Sequence, residues 1–365
     1  MSTDDALSAA EEREHRRRTL RRGAEMSTDT SPGHVPVLLS RVCELLAPVA
    51  ARPAAVLVDA TVGLGGHARA LLAAHPGLRV IGFDRDEAAL QISRNRLAEY
   101  RDRIRLVHTG FDALGVVLKE FASTGVDGVL FDLGVSSMQL DQAERGFSYS
   151  RDTGLDMRMD TTATLTAEHV VNSYSRGELT RILRAYGEER FASRVAAAIV
   201  RERDRAPITS SVALAELVRA AIPAATRRTG GHPAKRTFQG LRIEVNGELA
   251  ALETALPAAI EALRAGGRLV AISYHSLEDR IVKRALVRAT QDSTPLDLPV
   301  LLPQGRPRLR MLTRGAELPT AEEVQNNPRA ASAKMRAAER MDIERDDIEL
   351  EGGATPQRTR TRGAA

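Results

Sequence analysis

A short apolar strand that runs into a glycine cluster constrains this chain more than any other stretch: Val56-Leu-Val-Asp-Ala-Thr-Val-Gly-Leu-Gly-Gly-His67. Val56 to Asp59 have strand character, and Ala68 to Ala74 have the alanine and leucine content of a helix, so the pattern reads strand, tight turn, helix. Gly63, Gly65 and Gly66 carry no Cβ and take positive φ at little cost. A ligand can therefore lie against this backbone, with the N–H groups that open the helix pointing at it. Arg79 to Asp84 reads as a second strand, and its closing carboxylate falls eighteen residues after Gly66. An acidic residue there suits the hydroxyls of an adenosine ribose.

Two cofactors fit this constellation. Gly63-x-Gly65-x-x-Ala68 matches the dinucleotide fingerprint with its permitted terminal alanine. A nicotinamide-dependent oxidoreductase would then need a catalytic acid such as Tyr274 or His275. Asp59 stands four residues before Gly63, and the resulting Asp-x-x-x-Gly-x-Gly resembles the first motif of amino-group methyltransferases. S-adenosylmethionine has no pyrophosphate to cradle, and a carboxylate that would repel a diphosphate is welcome beside its sulfonium and amino groups. A non-catalytic RNA-binding protein that merely retains the glycine turn is a third reading. The glycine stretch by itself leaves these open.

Downstream, strands and helices alternate. A helix over Val37 to Leu46 precedes the first strand, and strand Arg79–Asp84 is followed by a helix over Glu87 to Leu97. Strand Ile104–His108, a helix over Asp112 to Phe121 and strand Val126–Asp132 complete the run. This spacing predicts an α/β fold with a parallel, doubly wound sheet whose ligands bind at the carboxyl ends of the strands. Gly65, Asp84, Phe111 and Asp132 all fall at such ends. After Asp132 the rhythm breaks. Residues 141–245 read as a helical, arginine-rich insertion, with helical patches at Leu179–Tyr186, Phe191–Arg203 and Val212–Ala221. Between Arg176 and Arg242 there are 14 Lys or Arg against 6 Asp or Glu, a local excess of 8 in a chain whose formal net charge is +4, so the basic character is concentrated here. A helical stretch from Glu244 to Leu263, expected to break or kink near Pro257, and a strand from Arg268 to Ser273 resume the alternation. A helix over Leu277 to Val287 and a last strand over Arg308 to Thr313 follow.

The division expected is therefore a disordered extension over 1–33, a first catalytic part over 34–140, the insertion over 141–245, a second catalytic part over 246–342 and a disordered tail over 343–365. The extension holds almost no large apolar residue. Met26-Ser-Thr-Asp echoes Met1-Ser-Thr-Asp, which makes Met26 a candidate alternative start, with an RNA-touching arm as the other reading of the extension. There is neither an apolar run of membrane-spanning length nor a signal-peptide core, so the expected location is the cytoplasm with no membrane partner. The single cysteine, Cys43, cannot form an internal disulfide or a thiolate metal cluster and is read as a core residue of the first helix.

Long motifs beyond the glycine turn carry a family resemblance. Asp132-Leu-Gly-Val-Ser-Ser137, Gln139-Leu-Asp, Glu144-Arg-Gly-Phe147 and Asp156-Met-Arg-Met159 stand in order. With His34-x-Pro-Val-Leu-Leu39, Gly65-Gly-His67, Arg236-Thr-Phe-Gln239 and His275-Ser-Leu-Glu-Asp-Arg280, they make residues 34 to 341 resemble the MraW (RsmH) family. The resemblance implies a Rossmann-like S-adenosylmethionine-dependent methyltransferase sheet with a helical insertion domain. The reaction it implies is methylation of the N4 amine of a cytosine in the decoding region of 16S rRNA. It also implies site roles: Gly65, Gly66 and His67 along the methionine part of S-adenosyl-L-methionine, Asp84 on the ribose, Phe111 beside the adenine, and Asp132 and Gln139 near the transferable methyl. Asp132 is the residue to which catalysis would fall, and no metal is expected. Read by themselves, Phe111 is more readily a core aromatic and His67 a helix N-terminal residue, while Asp132 is as readily a loop cap as a functional group.

The chemistry is consistent with an amine acceptor. A cytosine N4 lone pair is delocalised into the ring, so the NH2 must be held by acceptors that favour a localised pair. Methylation at ring carbon 5 would call for a cysteine nucleophile, and Cys43 precedes the first strand, far in sequence from the acceptor motif. The base must be presented single-stranded or extruded, whether the partner is 16S rRNA or the small ribosomal subunit. Of 12 aromatic residues, Phe147, Tyr149 and Tyr274 are the stacking candidates, with structural packing the commoner fate of any one of them. Arg227, Arg228, Lys235, Arg236 and Arg242 are the candidates for phosphate binding. The oligomeric state is open, with a homodimer allowed.

Overall fold

The computed structural model describes residues 35–149, 152–224, 232–291 and 306–342. The extension, the tail, His34, Arg227 and Arg228 lie outside the described residues. A seven-stranded sheet runs in the order β3-β2-β1-β4-β5-β7-β6, with β1 Val56–Asp59, β2 Arg79–Asp84, β3 Ile104–His108, β4 Val126–Asp132, β5 Leu263–Ser273, β6 Leu309–Met311 and β7 Lys334–Arg340. Strands β1 to β5 are parallel, and β7 is inserted antiparallel between β5 and β6. The strand order reverses direction between β1 and β4, and such a switch point, beyond the carboxyl ends of the strands, is where open α/β sheets bind their ligands.

Strand alternation produces two cores. On β1, Leu57 faces one side with α1 (Leu39–Ala50), α2 (Gly66–Ala74) and α3 (Glu87–Arg96), where Val42, Leu46, Leu71 and Leu90 are buried. Val58, with Val129 and Phe131 of β4, faces α4 (Leu114–Phe121) and two later helices. Strands buried on both faces read as apolar runs, which is why these strands are plain in the sequence. Cys43 lies on α1, partly buried against the first core.

A short α5 (Ser137–Asp141) follows β4, and the helical segment then builds a third core of its own, from Phe147 to Val245. Its helices are α6 (Ala167–Ser173), α7 (Arg176–Ala185), α8 (Ala192–Arg203), α9 (Ser211–Ala221) and α10 (Lys235–Asn246). The expected break at Pro257 does not occur. Gly247, at φ 60, ends α10, and α11 runs unbroken from Glu248 to Ala262 with Pro257 inside it. Left-handed backbone is nearly free of cost for glycine, so the chain turns there and not at the proline. Helix α12 (Ser276–Ala289) follows β5, and the short α13 (Ala321–Asn326) precedes β7. Strand β7 was not expected. Its run Lys334-Met-Arg-Ala-Ala-Glu-Arg has little β-propensity, and it is a strand because β5 and β6 offer it ladders on both sides.

Candidate active site

The candidate site is built by the turn after β1 and the ends of its neighbouring strands. Gly63 and Gly65 have φ 49 and 80, and the Gly65 N–H turns back onto the Val62 carbonyl at 2.7 Å. An added Cβ on Gly65 would stand 2.8 Å from Leu97 Cδ1, and one on Gly66 2.4 Å from Pro36 Cγ. The lack of side chains here is therefore enforced by packing as well as by φ.

Asp84 ties the β2 end to this turn. Its Oδ2 accepts the Gly63 N–H at 2.9 Å and its Oδ1 accepts the Asp86 N–H at 2.9 Å. Each oxygen keeps a further lone pair. Burial outweighs these bonds and pushes the Asp84 carboxyl up to about 6. Asp59, which accepts the Thr61 N–H at 3.2 Å, is pushed up to about 7 by burial and then by Asp132 and Asp84.

Asp132 ends β4, with its backbone N–H bonded to Thr61 Oγ1 at 2.6 Å, which joins the β4 end to the β1 turn. Its side chain is 23% exposed, so it is reachable from outside. The Tyr274 hydroxyl donates to Asp132 Oδ1 at 2.7 Å, and His67 Nδ1 lies 3.7 Å from Oδ2. His67 Nε2 sits 3.1 Å from the Val37 carbonyl, an acceptor only, so that nitrogen carries a proton. Burial pushes the Asp132 carboxyl up, opposed by His67 and by the Tyr274 hydrogen bond. Three carboxylates at adjacent strand ends, each disfavoured as an anion by burial, form a place where a cationic ligand is welcome. Among the described residues, no group of three or more His, Cys, Asp or Glu side chains is arranged to hold a metal ion.

The remaining expected residues fall into two groups. Phe111 packs edge-on against Phe131 at 5.9 Å, with the Arg85 guanidinium 5.4 Å from its ring centroid. Its chain neighbours Gly110 and Asp112, with Arg85, Asp160, Asn246 and Gly247, line a cleft of about 460 Å³. Gln139 is buried, and its amide is already engaged: Oε1 accepts the Ser136 N–H at 3.0 Å and Nε2 donates to Asp86 Oδ2 at 2.9 Å. Through these bonds it caps α5 and anchors the loop after Asp132 to the loop after Asp84.

Three sequence expectations are corrected. Phe147 is buried in the third core and is not a stacking platform. Tyr274 has its hydroxyl on Asp132 and its ring against the first core. Arg242, expected on phosphate, is half-buried and bonds Glu248 at 2.9 and 3.0 Å, with Glu278 at 3.9 Å. Tyr149 stacks on exposed His232 at 4.5 Å, while Lys235 and Arg236 are exposed. The role of Tyr274 is invisible in the sequence because its proximity to Asp132 depends on strand register: Asp132 pairs with Ile272, two residues before it.

Comparison with known proteins adds to this geometry. The model of the MraW methylase family matches residues 31–341. The chain is 62% identical over 310 residues to a protein of Thermobifida fusca (strain YX) named ribosomal RNA small subunit methyltransferase H, covering 85% of this chain and 94% of that one. A protein of Salinispora tropica with the same name is 62% identical over 313 residues, covering 85% and 84%. A third of that name, from Streptomyces avermitilis, is 54% identical over 316 residues, covering 87% and 98%.

Proposed function

The chain belongs to the MraW methylase family, and on that premise we propose that it is an S-adenosylmethionine-dependent methyltransferase of the N4 amine of a cytosine in the decoding region of 16S rRNA. The observation that carries the reading is the set of carboxylates at the ends of β1, β2 and β4, held at raised pKa beside a turn that cannot accept side chains. A dinucleotide diphosphate laid on the glycine turn would meet Asp59 and Asp132 as like charges, which counts against the oxidoreductase reading, while Asp84 suits an adenosine ribose in either.

S-adenosylmethionine supplies an electrophilic methyl group on a sulfonium. Gly65, Gly66 and His67 would line its methionine part, Asp84 would take the ribose hydroxyls on its free lone pairs, and Phe111 would flank the adenine. Asp132 would accept a hydrogen bond from the cytosine NH2, which favours a localised lone pair and balances positive charge on the product amine. Gln139 keeps this region in register from behind, through Ser136 and Asp86.

Residues 141–245 would form the RNA-recognition unit between the two parts of the catalytic domain, 34–140 and 246–342. The 16S rRNA, free or in the small subunit, would be gripped by Lys235 and Arg236, with the target base single-stranded or extruded. A cytoplasmic location and self-association as a homodimer belong to the same reading. No described helix is long and apolar enough to cross a membrane. The test is mass spectrometry of 16S rRNA nucleosides from cells with and without this protein. Loss of one N4-methylated cytidine is expected, and an unchanged nucleoside profile would refute the assignment.

A further inference from the structure

We propose that Tyr274 is a positioning residue that holds the Asp132 carboxylate in the orientation in which it meets the substrate amine, an inference that rests on the reading of Asp132 given above. A carboxylate turns easily about its last side-chain bond, where the torsional wells are broad. A single strong donor on one oxygen fixes that plane, and the Tyr274 hydroxyl, 2.7 Å from Oδ1, is such a donor. Burial and the neighbouring Asp132 push the ionisation of this phenol far above its ordinary value, so it keeps its proton whenever Asp132 is charged.

The same ring stands beside the turn that follows the carboxylate. Gly134 has φ +90, and a Cβ there would lie 3.4 Å from Tyr274 Cδ2. One side chain thus bonds the functional group and fills the space where a side chain two residues beyond it would stand.

Tyr274 is itself fixed. Its N–H donates to Glu278 Oε2 at 2.8 Å, and the same oxygen takes the His275 N–H at 3.2 Å. Glu278 is buried in the first turn of α12, and its other oxygen lies 3.9 Å from Arg242 on α10. A continuous series of polar contacts therefore runs from the helical unit through Arg242, Glu278 and Tyr274 to Asp132. The charged and titratable groups that face Asp132 are His67 from α2, Asp59 from β1, Glu278 from α12 and Tyr274 itself. Tyr274→Phe alters none of the other three, so a change in the titration of Asp132 reports the removal of the hydroxyl.

The test is single-turnover methyl transfer as a function of pH for the parent, Tyr274→Phe, a protein with 3-fluorotyrosine at 274, and Asp132→Asn. Cofactor affinity is measured on each by calorimetry. Tyr274→Phe should transfer methyl about tenfold more slowly, the scale of one hydrogen bond to a charged group, with cofactor and RNA affinity retained. Its acid limb should move to higher pH, because the missing donor favoured the charged carboxylate. The fluorinated phenol, a stronger donor of nearly the same shape, should restore the rate and return the limb toward lower pH. A Tyr274→Phe protein with the parental rate and limb overturns the inference. So does a slower rate that tracks weaker cofactor binding and that fluorotyrosine leaves without a shift in the limb. If Asp132→Asn is inactive while Tyr274→Phe is parental, only this inference fails. If Asp132→Asn is fully active, the reading of Asp132 fails first and takes this one with it.

Discussion

Asp84→Asn separates the cost of a buried charge from its use. In the unliganded protein, burial raises this carboxyl from 3.8 to about 6, so the fold disfavours the anion by on the order of 3 kcal/mol. The folded state binds this proton more tightly than the unfolded chain does. The group therefore stabilises the fold most below about 4, loses that contribution as pH rises to about 6, and is flat above. Asparagine removes this slope. It also brings an NH2 to face one of two backbone N–H groups now bonded at 2.9 Å, those of Gly63 and Asp86. That mismatch costs roughly 1–3 kcal/mol and offsets much of the gain. Stability at neutral pH should thus change little, while S-adenosylmethionine binding weakens by about 1–3 kcal/mol because the charged acceptor for the ribose hydroxyls is gone. Calorimetric titration of the cofactor and thermal melts across the range from about pH 4 to about pH 8 read both quantities. Parental affinity in the variant would remove Asp84 from the site, and a melting curve with the parental slope against pH would refute the account of its burial.

Gly66→Ala should lower stability by about 1–3 kcal/mol in urea unfolding, since its Cβ would meet the Pro36 ring at 2.4 Å; unchanged stability would mean that the segment before α1 yields freely. Lys235→Ala with Arg236→Ala should flatten the salt dependence of RNA binding by roughly one unit of slope for each phosphate that is no longer neutralised, with cofactor affinity intact. An unaltered slope would make these exposed cations ordinary surface. Arg242→Ala should instead destabilise the fold by about 3–5 kcal/mol, because it leaves Glu248 and Glu278 buried without their guanidinium. A stable Arg242→Ala protein with a reduced salt slope would return Arg242 to the RNA-binding face.

Much of the catalytic sheet was legible because local signals and tertiary fate agree. Strands β1, β2 and β4 are apolar runs buried on both faces, and the glycine turn, Asp84 and Asp132 fall where a doubly wound sheet puts its ligands. What the sequence concealed depends on partners distant in the chain. Lys334 to Arg340 has the alanine content of a helix and is a strand only between β5 and β6. Arg242 resembles any other arginine of a basic segment until Glu248 and Glu278 are folded around it. Gln139 and Tyr274 show the same limit: the family resemblance made one a candidate and its place at a strand end the other, but their hydrogen-bond partners, Asp86 and Asp132, are fixed by loop packing and strand register.

Single-turnover transfer by Asp132→Asn, with enzyme in excess and cofactor saturating, tests the central claim most directly because it isolates chemistry from binding. Asparagine keeps the shape and one acceptor and loses the charge that would localise the amine lone pair and balance the product cation. The rate should fall on the order of 10²-fold or more, as for other preorganised electrostatic groups, while RNA affinity barely changes. Methyl transfer at close to the parental rate would contradict the account and reduce Asp132 to a residue that caps the loop after β4.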